Sequence, residues 1–143
     1  MKTIKVIIES KIDHVPVLSK AVRAICSTLV QDEILLFNME LCIFEAVINV
    51  IKYVYKKQPG NYIEVITTLE KSEINLCVIT PGISAVLPLP KKELEFDPKD
   101  INSIPESGMG LFLIHQIMDE VGVKKIENEN MLLMKKYLSL SNQ

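Results

Sequence analysis

The first third of the chain shows two kinds of hydrophobic spacing. Between Thr3 and Ile8 apolar residues alternate with polar neighbours, which predicts a β-strand. From Val15 to Val30 apolar residues recur every three or four positions, which predicts an amphipathic helix. Asp13 and His14 mark its start, because a polar capping residue followed by an early proline commonly opens a helix.

A second and longer helix is predicted to begin at Gln31 or Asp32. Its apolar residues keep helical spacing through 44–55 and continue to about Lys57. The sequence Gln-Pro-Gly at 58–60 then breaks the pattern, so the helix is expected to end there.

Three polar residues interrupt the apolar run of this helix. Glu45, Asn49 and Lys52 are four and three residues apart, so an α-helix places them on one face. Burial in an apolar setting would raise the pKa of the Glu45 carboxyl and suit it to general-base catalysis. Asn49 offers a carbonyl oxygen suited to Mg²⁺, and Lys52 can neutralise a phosphate or extend to solvent. Alternatively, this face of the helix simply reaches solvent.

The second half of the chain predicts two β-hairpins around a proline-rich loop and a helix. The predicted elements are strands 62–69 and 74–80, the loop 83–107, the helix 110–121, and strands 123–127 and 131–138. Long loops inside compact domains commonly act as lids or binding loops. Because the helices do not alternate with single strands, we expect an α+β fold. Its form would be a two-layer α/β sandwich whose mixed, mostly antiparallel sheet is covered on one face by helices.

Length and composition place all these elements in one domain, residues 1–143. The chain is 48% hydrophobic and 24% charged with a formal net charge of −2, which gives no general electrostatic basis for binding nucleic acid. No uninterrupted apolar run approaches the roughly 18 residues of a membrane helix, so we expect no membrane span and a cytoplasmic location.

The three cysteines do not predict a metal site. Cys26, Cys42 and Cys77 lie far apart in apolar runs, which indicates buried thiols in a reducing compartment. No C-x-x-C motif is present and both histidines are isolated, so zinc is not expected.

Residues 107–114, Ser-Gly-Met-Gly-Leu-Phe-Leu-Ile, form a candidate anion-binding segment. Gly108 and Gly110 lie where the predicted helix opens, and glycines there let backbone N–H groups approach an anion at the positive end of the helix. Taken alone, this pattern is more often a turn before a core helix.

In combination, these segments resemble the GHKL ATPase superfamily of DNA gyrase and histidine kinases. Within that superfamily the chain looks most like the small anti-sigma factor serine/threonine kinases. The run 45–55 matches the N-box of that family, and 107–121 matches its glycine box and the helix that follows. The resemblance extends from the first strand to the last hairpin and implies a GHKL ATPase-like fold.

The resemblance implies a role for each candidate residue. It implies Glu45 as the base that activates the acceptor serine, Asn49 as the Mg²⁺ ligand and Lys52 as a phosphate-side lysine. Residues 84–107 correspond to the ATP lid. The remaining nucleotide-binding positions are Thr80 and Gly82 on the adenine side, and Ser107, Gly108, Met109, Gly110 and Leu111 around the triphosphate.

The chain departs from the family pattern in three places. Thr80 and Gly82 stand at the first and last positions of the family's Asp-x-Gly motif, so threonine replaces the aspartate. In the family that aspartate accepts a hydrogen bond from the adenine amino group. Loss of a hydrogen bond to a charged group weakens binding roughly 10- to 150-fold. Glu106 stands where many members carry an arginine near the terminal phosphate. The last hairpin has Glu-Asn-Met at 129–131 in place of Gly-Thr-Thr.

The resemblance therefore implies an ATP- and Mg²⁺-dependent serine/threonine protein kinase that acts as an anti-sigma factor in transcription regulation. Such a protein phosphorylates an anti-anti-sigma factor, binds a sigma factor and forms a homodimer, without contacting nucleic acid or membrane. The alternative, supported by the three departures, is a degenerate non-catalytic module. It would keep the surface for the sigma or anti-anti-sigma partner and bind nucleotide weakly or not at all.

Overall fold

The computed structural model describes residues 1–58, 60–81 and 109–139. In chain order the elements are β1 (Lys2–Glu9), a 3₁₀ turn (Ile12–His14), α1 (Val15–Cys26), α2 (Glu33–Asn49), a π-helix that continues α2 (Val50–Val54), β2 (Tyr62–Glu70), β3 (Glu73–Thr80), α3 (Met109–Ile117), β4 (Glu120–Ile126) and β5 (Glu129–Tyr137). The predicted order of strand, two helices, hairpin, helix and hairpin is confirmed.

The five strands form one sheet in the order β1-β2-β3-β5-β4, and every neighbouring pair is antiparallel. Side chains alternate between the two faces, so one face of β3 carries Ile74, Leu76, Val78 and Thr80, all of them buried. The first three share one core cluster with buried residues of α1, α2 and α3. The helices therefore cover one face of an antiparallel sheet, and the expected two-layer α+β sandwich is confirmed.

Helix α2 lies at the centre of the core because nearly its whole circumference is apolar. Met39 and Ile43 are fully buried, and α2 contacts α1, α3 and β3. Asp32, one of the two predicted caps, accepts hydrogen bonds from the N–H groups two and three residues further on, at 3.0 and 3.2 Å. With its π-helical continuation α2 has 22 residues and passes a length and composition test for a membrane span, as buried core helices also do.

Helix α1 begins at Val15 as predicted, but its capping and its end differ from the prediction. His14 occupies its N-cap position without a side-chain capping bond, and the 3₁₀ turn leads into the helix instead. The helix ends at Cys26 rather than at Val30. Ser27 and Thr28 follow, and their hydroxyls donate to carbonyl oxygens three residues earlier, at 2.6 and 2.7 Å. Such bonds compete with the regular helix.

Helix α3 and the last hairpin also have bounds that differ from the predicted ones. The helix ends at Ile117, and Val121, predicted to be helical, lies in β4. The hairpin turns at Glu127, whose φ of 52° is in the left-handed region. Asn130 therefore belongs to β5 rather than to the turn, and the strand register places it directly opposite Thr80.

Within the described residues no helix covers the opposite, free face of the sheet. The register places Ile66, Cys77 and Leu133 in one row across three strands of this face. Leu133 is 40% exposed, and a cavity of about 530 Å³ is lined by all three side chains. Three ion pairs lie on the same face: Lys5–Glu64 at 3.6 Å, Lys135–Glu73 at 3.4 Å and Lys135–Glu120 at 3.8 Å.

All three cysteines are free thiols. Cys26 and Cys42 are buried in the core, where desolvation raises the pKa of each thiol to about 12. Cys77 is only half-buried because it lies on the free face of the sheet. The prediction of buried thiols is confirmed for two of the three and is wrong for Cys77.

Candidate functional site

The side chain of Glu45 lies directly against Gly110, in the first turn of α3. A Cβ atom added to Gly110 would be 2.2 Å from Glu45 Oε2, 3.0 Å from its Cδ and 3.1 Å from its Cβ. Only a residue without a side chain allows this approach without displacing the carboxylate. The structure thus brings together two segments that are far apart in the sequence and that carry the candidate chemistry.

The Glu45 carboxyl is half-buried among apolar neighbours. Desolvation raises its pKa above the ordinary value, and the positive charge of Lys52 lowers it in part. A carboxyl with a raised pKa is a better proton acceptor when ionised, which is the property that a general base needs.

Asn49 is buried one turn further along α2. Its Nδ2 donates to the backbone oxygen of Glu45 at 2.7 Å, so Oδ1 is the amide atom suited to a cation. No group of three or more His, Cys, Asp or Glu side chains within 1–58, 60–81 and 109–139 is arranged to hold a metal. A cation here would therefore rest on Asn49 and on phosphate oxygens, which is the kind of ligand set that Mg²⁺ takes.

The helix changes from α- to π-type hydrogen bonding directly after Asn49. The N–H of Tyr55 donates to the oxygen of Val50, five residues earlier, at 2.9 Å. A π-turn holds more residues than an α-turn, so the spacing predicted to align Lys52 with Glu45 does not continue through this segment. Lys52 is exposed, yet its charge still acts on the carboxyl of Glu45.

Two polar residues lie opposite each other at one end of the central strand. Thr80 is the last residue of β3 and is fully buried, and its Oγ1 has no hydrogen-bond partner among the described residues. Asn130 is its cross-strand neighbour on β5 and is 1% exposed. Sequence reasoning identified Thr80 but did not assign Asn130 to the site, because Asn130 was predicted to lie in a turn.

The remaining predicted positions divide into two groups. Met109 and Leu111 lie with Gly110 in the first turn of α3, whose backbone N–H groups have no partner within the helix. The Leu111 side chain is buried in the core, so a ligand can meet only its backbone. The other predicted positions, Gly82, Ser107 and Gly108, fall outside the described residues together with Glu106 and the lid 84–107.

Comparison with known proteins identifies the class of this chain. It belongs to the Histidine kinase-like ATPase domain family, whose model matches residues 8–136. The contact between α2 and the start of α3 thus lies within the matched part of the chain.

Among curated proteins the chain is similar to several named Serine-protein kinase RsbW. The proteins of Bacillus mycoides (strain KBAB4) and Bacillus cereus (strain ATCC 10987 / NRS 248) are each 29% identical over 102 residues. That of Bacillus thuringiensis (strain Al Hakam) is 29% identical over 100 residues. Each match covers 68% of this chain and 62% of the relative, so the chain spans about three-fifths of the length of these relatives.

A double-mutant cycle tests the contact between Glu45 and Gly110. We expect Gly110→Ala to destabilise the protein by about 1–3 kcal/mol, since the added Cβ must displace the carboxylate. In a Glu45→Ala background the two Glu45 atoms closest to the added Cβ, Oε2 and Cδ, are absent. Gly110→Ala should then lower the free energy of unfolding by at least about 1 kcal/mol less than it does in the wild type. Urea unfolding of the four proteins measures this coupling.

Gly122→Ala is the matched control for this cycle, because a Cβ at Gly122 meets nothing within 4 Å. Its effect should be the same with and without Glu45. Additive effects of Gly110→Ala and Glu45→Ala would contradict the observed contact.

The charge on Lys52 gives a prediction about proton binding. We expect Lys52→Met to raise the pKa of Glu45 further, because the variant removes the cation that opposes desolvation. A raised folded pKa means that Glu45 favours folding most below its unfolded pKa, and that this contribution is lost as pH rises through the folded pKa. As pH rises, the free energy of unfolding of the variant should therefore keep falling to a higher pH than that of the wild type.

Carbon-13 NMR of the Glu45 carboxyl measures this pKa, and urea unfolding at several pH values measures the stability. Lys56→Met is the control, since Lys56 is exposed in the same segment and does not shift the pKa of Glu45. An unchanged or lowered pKa of Glu45 in Lys52→Met would show that this electrostatic assignment is wrong.

Proposed function

We propose that this chain is an ATP- and Mg²⁺-dependent serine/threonine protein kinase that acts as an anti-sigma factor and phosphorylates an anti-anti-sigma partner. The observation that supports this most directly is the contact between Glu45 and Gly110. The Glu45 side chain lies against Gly110 in the first turn of α3. A carboxylate can accept a proton, and a helix start suits a phosphate, so this contact supports phosphate transfer. The similarity to proteins named serine-protein kinase supports the same reaction.

Each residue has a separate part in the proposed reaction. The Glu45 carboxylate accepts the proton of the acceptor serine, whose oxygen then bonds to the γ-phosphorus while the bond to the leaving ADP oxygen breaks. Asn49 Oδ1 would hold Mg²⁺, which would neutralise charge on the phosphates. The first turn of α3, Met109 to Leu111, presents its N–H groups to the phosphates, and Lys52 adds positive charge near the carboxylate.

The second candidate is a non-catalytic regulatory module with the same fold. The fully buried, neutral Thr80 favours it, because the resemblance places a carboxylate at this position for adenine. In that reading the chain binds a sigma factor or an anti-anti-sigma factor and has little affinity for nucleotide. Nucleotide affinity therefore separates the two proposals.

Calorimetry with Mg·ATP tests the kinase proposal. We expect the wild type to bind and Asn49→Ala to bind at least 10-fold more weakly, which corresponds to about 1.4 kcal/mol. The weakening should vanish when Mg²⁺ is replaced by EDTA, because the lost atom is a cation ligand. Asn38→Ala, which alters the same helix about three turns away, should leave the affinity unchanged.

Glu45→Gln then separates binding from chemistry. It should bind Mg·ATP like the wild type and lose phosphate transfer to an anti-anti-sigma protein by about 10²- to 10⁴-fold, since it removes the base. If the wild type does not bind at millimolar Mg·ATP, the kinase proposal is wrong and the regulatory module remains.

We also propose that the chain works in the cytoplasm as a homodimer. Its two copies contact each other through the free face of the sheet. The row of Ile66, Cys77 and Leu133 supports this contact, because two antiparallel sheets pack stably face to face when their facing side chains are apolar. The flanking pairs Lys5–Glu64 and Lys135–Glu73 would form a polar rim.

Substitution of a charged residue on this face tests the dimer. We expect Leu133→Glu to shift the wild-type dimer to a monomer in sedimentation equilibrium, because the carboxylate would be buried at the contact. Phe37→Glu is the matched control, since Phe37 is a similarly exposed apolar residue on the helical layer. A monomeric wild type, or a Leu133→Glu variant that stays dimeric while folded, would overturn this contact.

A further inference from the structure

We propose that a partner protein docks its acidic face on the lysine surface, which we define as Lys52, Tyr53, Lys56 and Lys57. This surface lies at the end of the helix that carries Glu45. The inference rests on the proposed function for the identity of the partner, the protein that supplies the acceptor serine. It goes beyond that function in naming where the partner docks and which charge it carries there.

The lysine surface concentrates positive charge in a chain whose formal net charge is −2. Lys52, Lys56 and Lys57 are exposed, and none of the three forms an ion pair within the described part of the chain. The basic residues that do form ion pairs there are Lys5, Lys11, Arg23, Lys135 and Lys136. A group of cations without counter-charges attracts an anionic surface.

The acidic residues on the adjoining strands do not neutralise this surface. The register places Glu9 beside the start of β2, the strand that follows the lysine surface in the chain. Glu9 pairs with Lys11 at 3.3 Å, and Glu64, near the start of β2, pairs with Lys5 at 3.6 Å. Both carboxylates therefore have cations of their own, and the charge of the lysine surface stays available to a partner.

The backbone holds Lys56 and Lys57 in fixed positions. The N–H of Lys57 donates to the oxygen of Ile51 at 2.8 Å, and the hydroxyl of Tyr55 donates to the oxygen of Tyr62 at 2.6 Å. Both lysines have left-handed backbone, with φ of 50° and 61°, where glycine and asparagine are the ordinary residues. Lysine is less favourable for the fold at such positions, which points to a role in an interaction rather than in stability.

The distance from Glu45 suits a partner whose serine reaches that carboxylate. Each helical residue rises about 1.5 Å, so Lys56 lies roughly 15 Å beyond Glu45 along the helix. A standard protein–protein contact covers about 800 Å² on each partner, which is a disc of roughly 16 Å radius. A contact centred on Glu45 therefore reaches the lysine surface. Tyr53, which is 47% exposed, adds an aromatic side chain of the kind enriched in such contacts.

Surface plasmon resonance tests the docking with each anti-anti-sigma factor encoded in the same genome, with and without Mg·ADP. We expect Lys56→Asn/Lys57→Asn to weaken binding about 3- to 30-fold at low salt, mainly through slower association, because surface charges steer the encounter. The difference should shrink at about 1 M salt, where charges are screened beyond about 3 Å. Asparagine tolerates left-handed backbone, so the variant keeps the turn.

Lys124→Gln/Lys125→Gln is the matched control. It removes the same charge from two exposed lysines of β4, at the edge of the sheet opposite β1, and should leave the affinity for the acceptor protein unchanged. Unchanged binding by Lys56→Asn/Lys57→Asn overturns the inference alone. The inference is equally wrong if that variant instead loses affinity only for duplex DNA, the other anionic partner that lysines attract.

Phosphate transfer separates this inference from the kinase proposal. Lys56→Asn/Lys57→Asn should raise KM for the acceptor protein and leave kcat and the affinity for Mg·ATP unchanged, because the two lysines bind the partner and not the nucleotide. A wild type that binds the acceptor through these lysines but transfers no phosphate overturns the kinase proposal and leaves the inference standing. If no anti-anti-sigma factor binds the wild type, both are overturned.

Discussion

The candidate site depends on the close approach of a glutamate side chain to a helix turn that has no side chain. The carboxylate of Glu45 occupies space that a Cβ of Gly110 would fill. Because the contact joins α2 to α3, it fixes where the helix start lies relative to Asn49, one turn further along α2. Glu45, Asn49 and the start of α3, which we propose for proton transfer, cation binding and phosphate binding, are therefore positioned by the same helix packing that forms the core.

This arrangement lets an apolar helix carry the residues proposed for the chemistry. Helix α2 is held by core contacts on most of its circumference, so its polar side chains have little freedom to move. The desolvation that those contacts impose also raises the pKa of Glu45. The π-helix after Asn49 then ends the regular α-helical spacing of side chains. Lys52 is exposed, so it lowers the pKa of the Glu45 carboxyl without being buried beside it.

The sequence predicted the elements whose signal is local and missed features that depend on competing contacts. Hydrophobic spacing sufficed for the five strands, the three helices and the position of Glu45 within α2. The early end of α1 depends on hydroxyl bonds of Ser27 and Thr28, which hydrophobic spacing does not report. Asn130 is the cross-strand neighbour of Thr80 only because the hairpin turns at Glu127. The predicted turn lay two residues further on, so the sequence did not reveal that Asn130 belongs to the strand.

The two ends of the candidate site differ in charge for a physical reason. At the α3 end a carboxylate is tolerated because it is only half-buried and lies near the cation of Lys52. At the sheet end Thr80 and Asn130 are almost completely buried, and a lone carboxylate there would need donors to offset its desolvation. A neutral hydroxyl without a partner costs much less, so the fold can keep this end closed without a ligand.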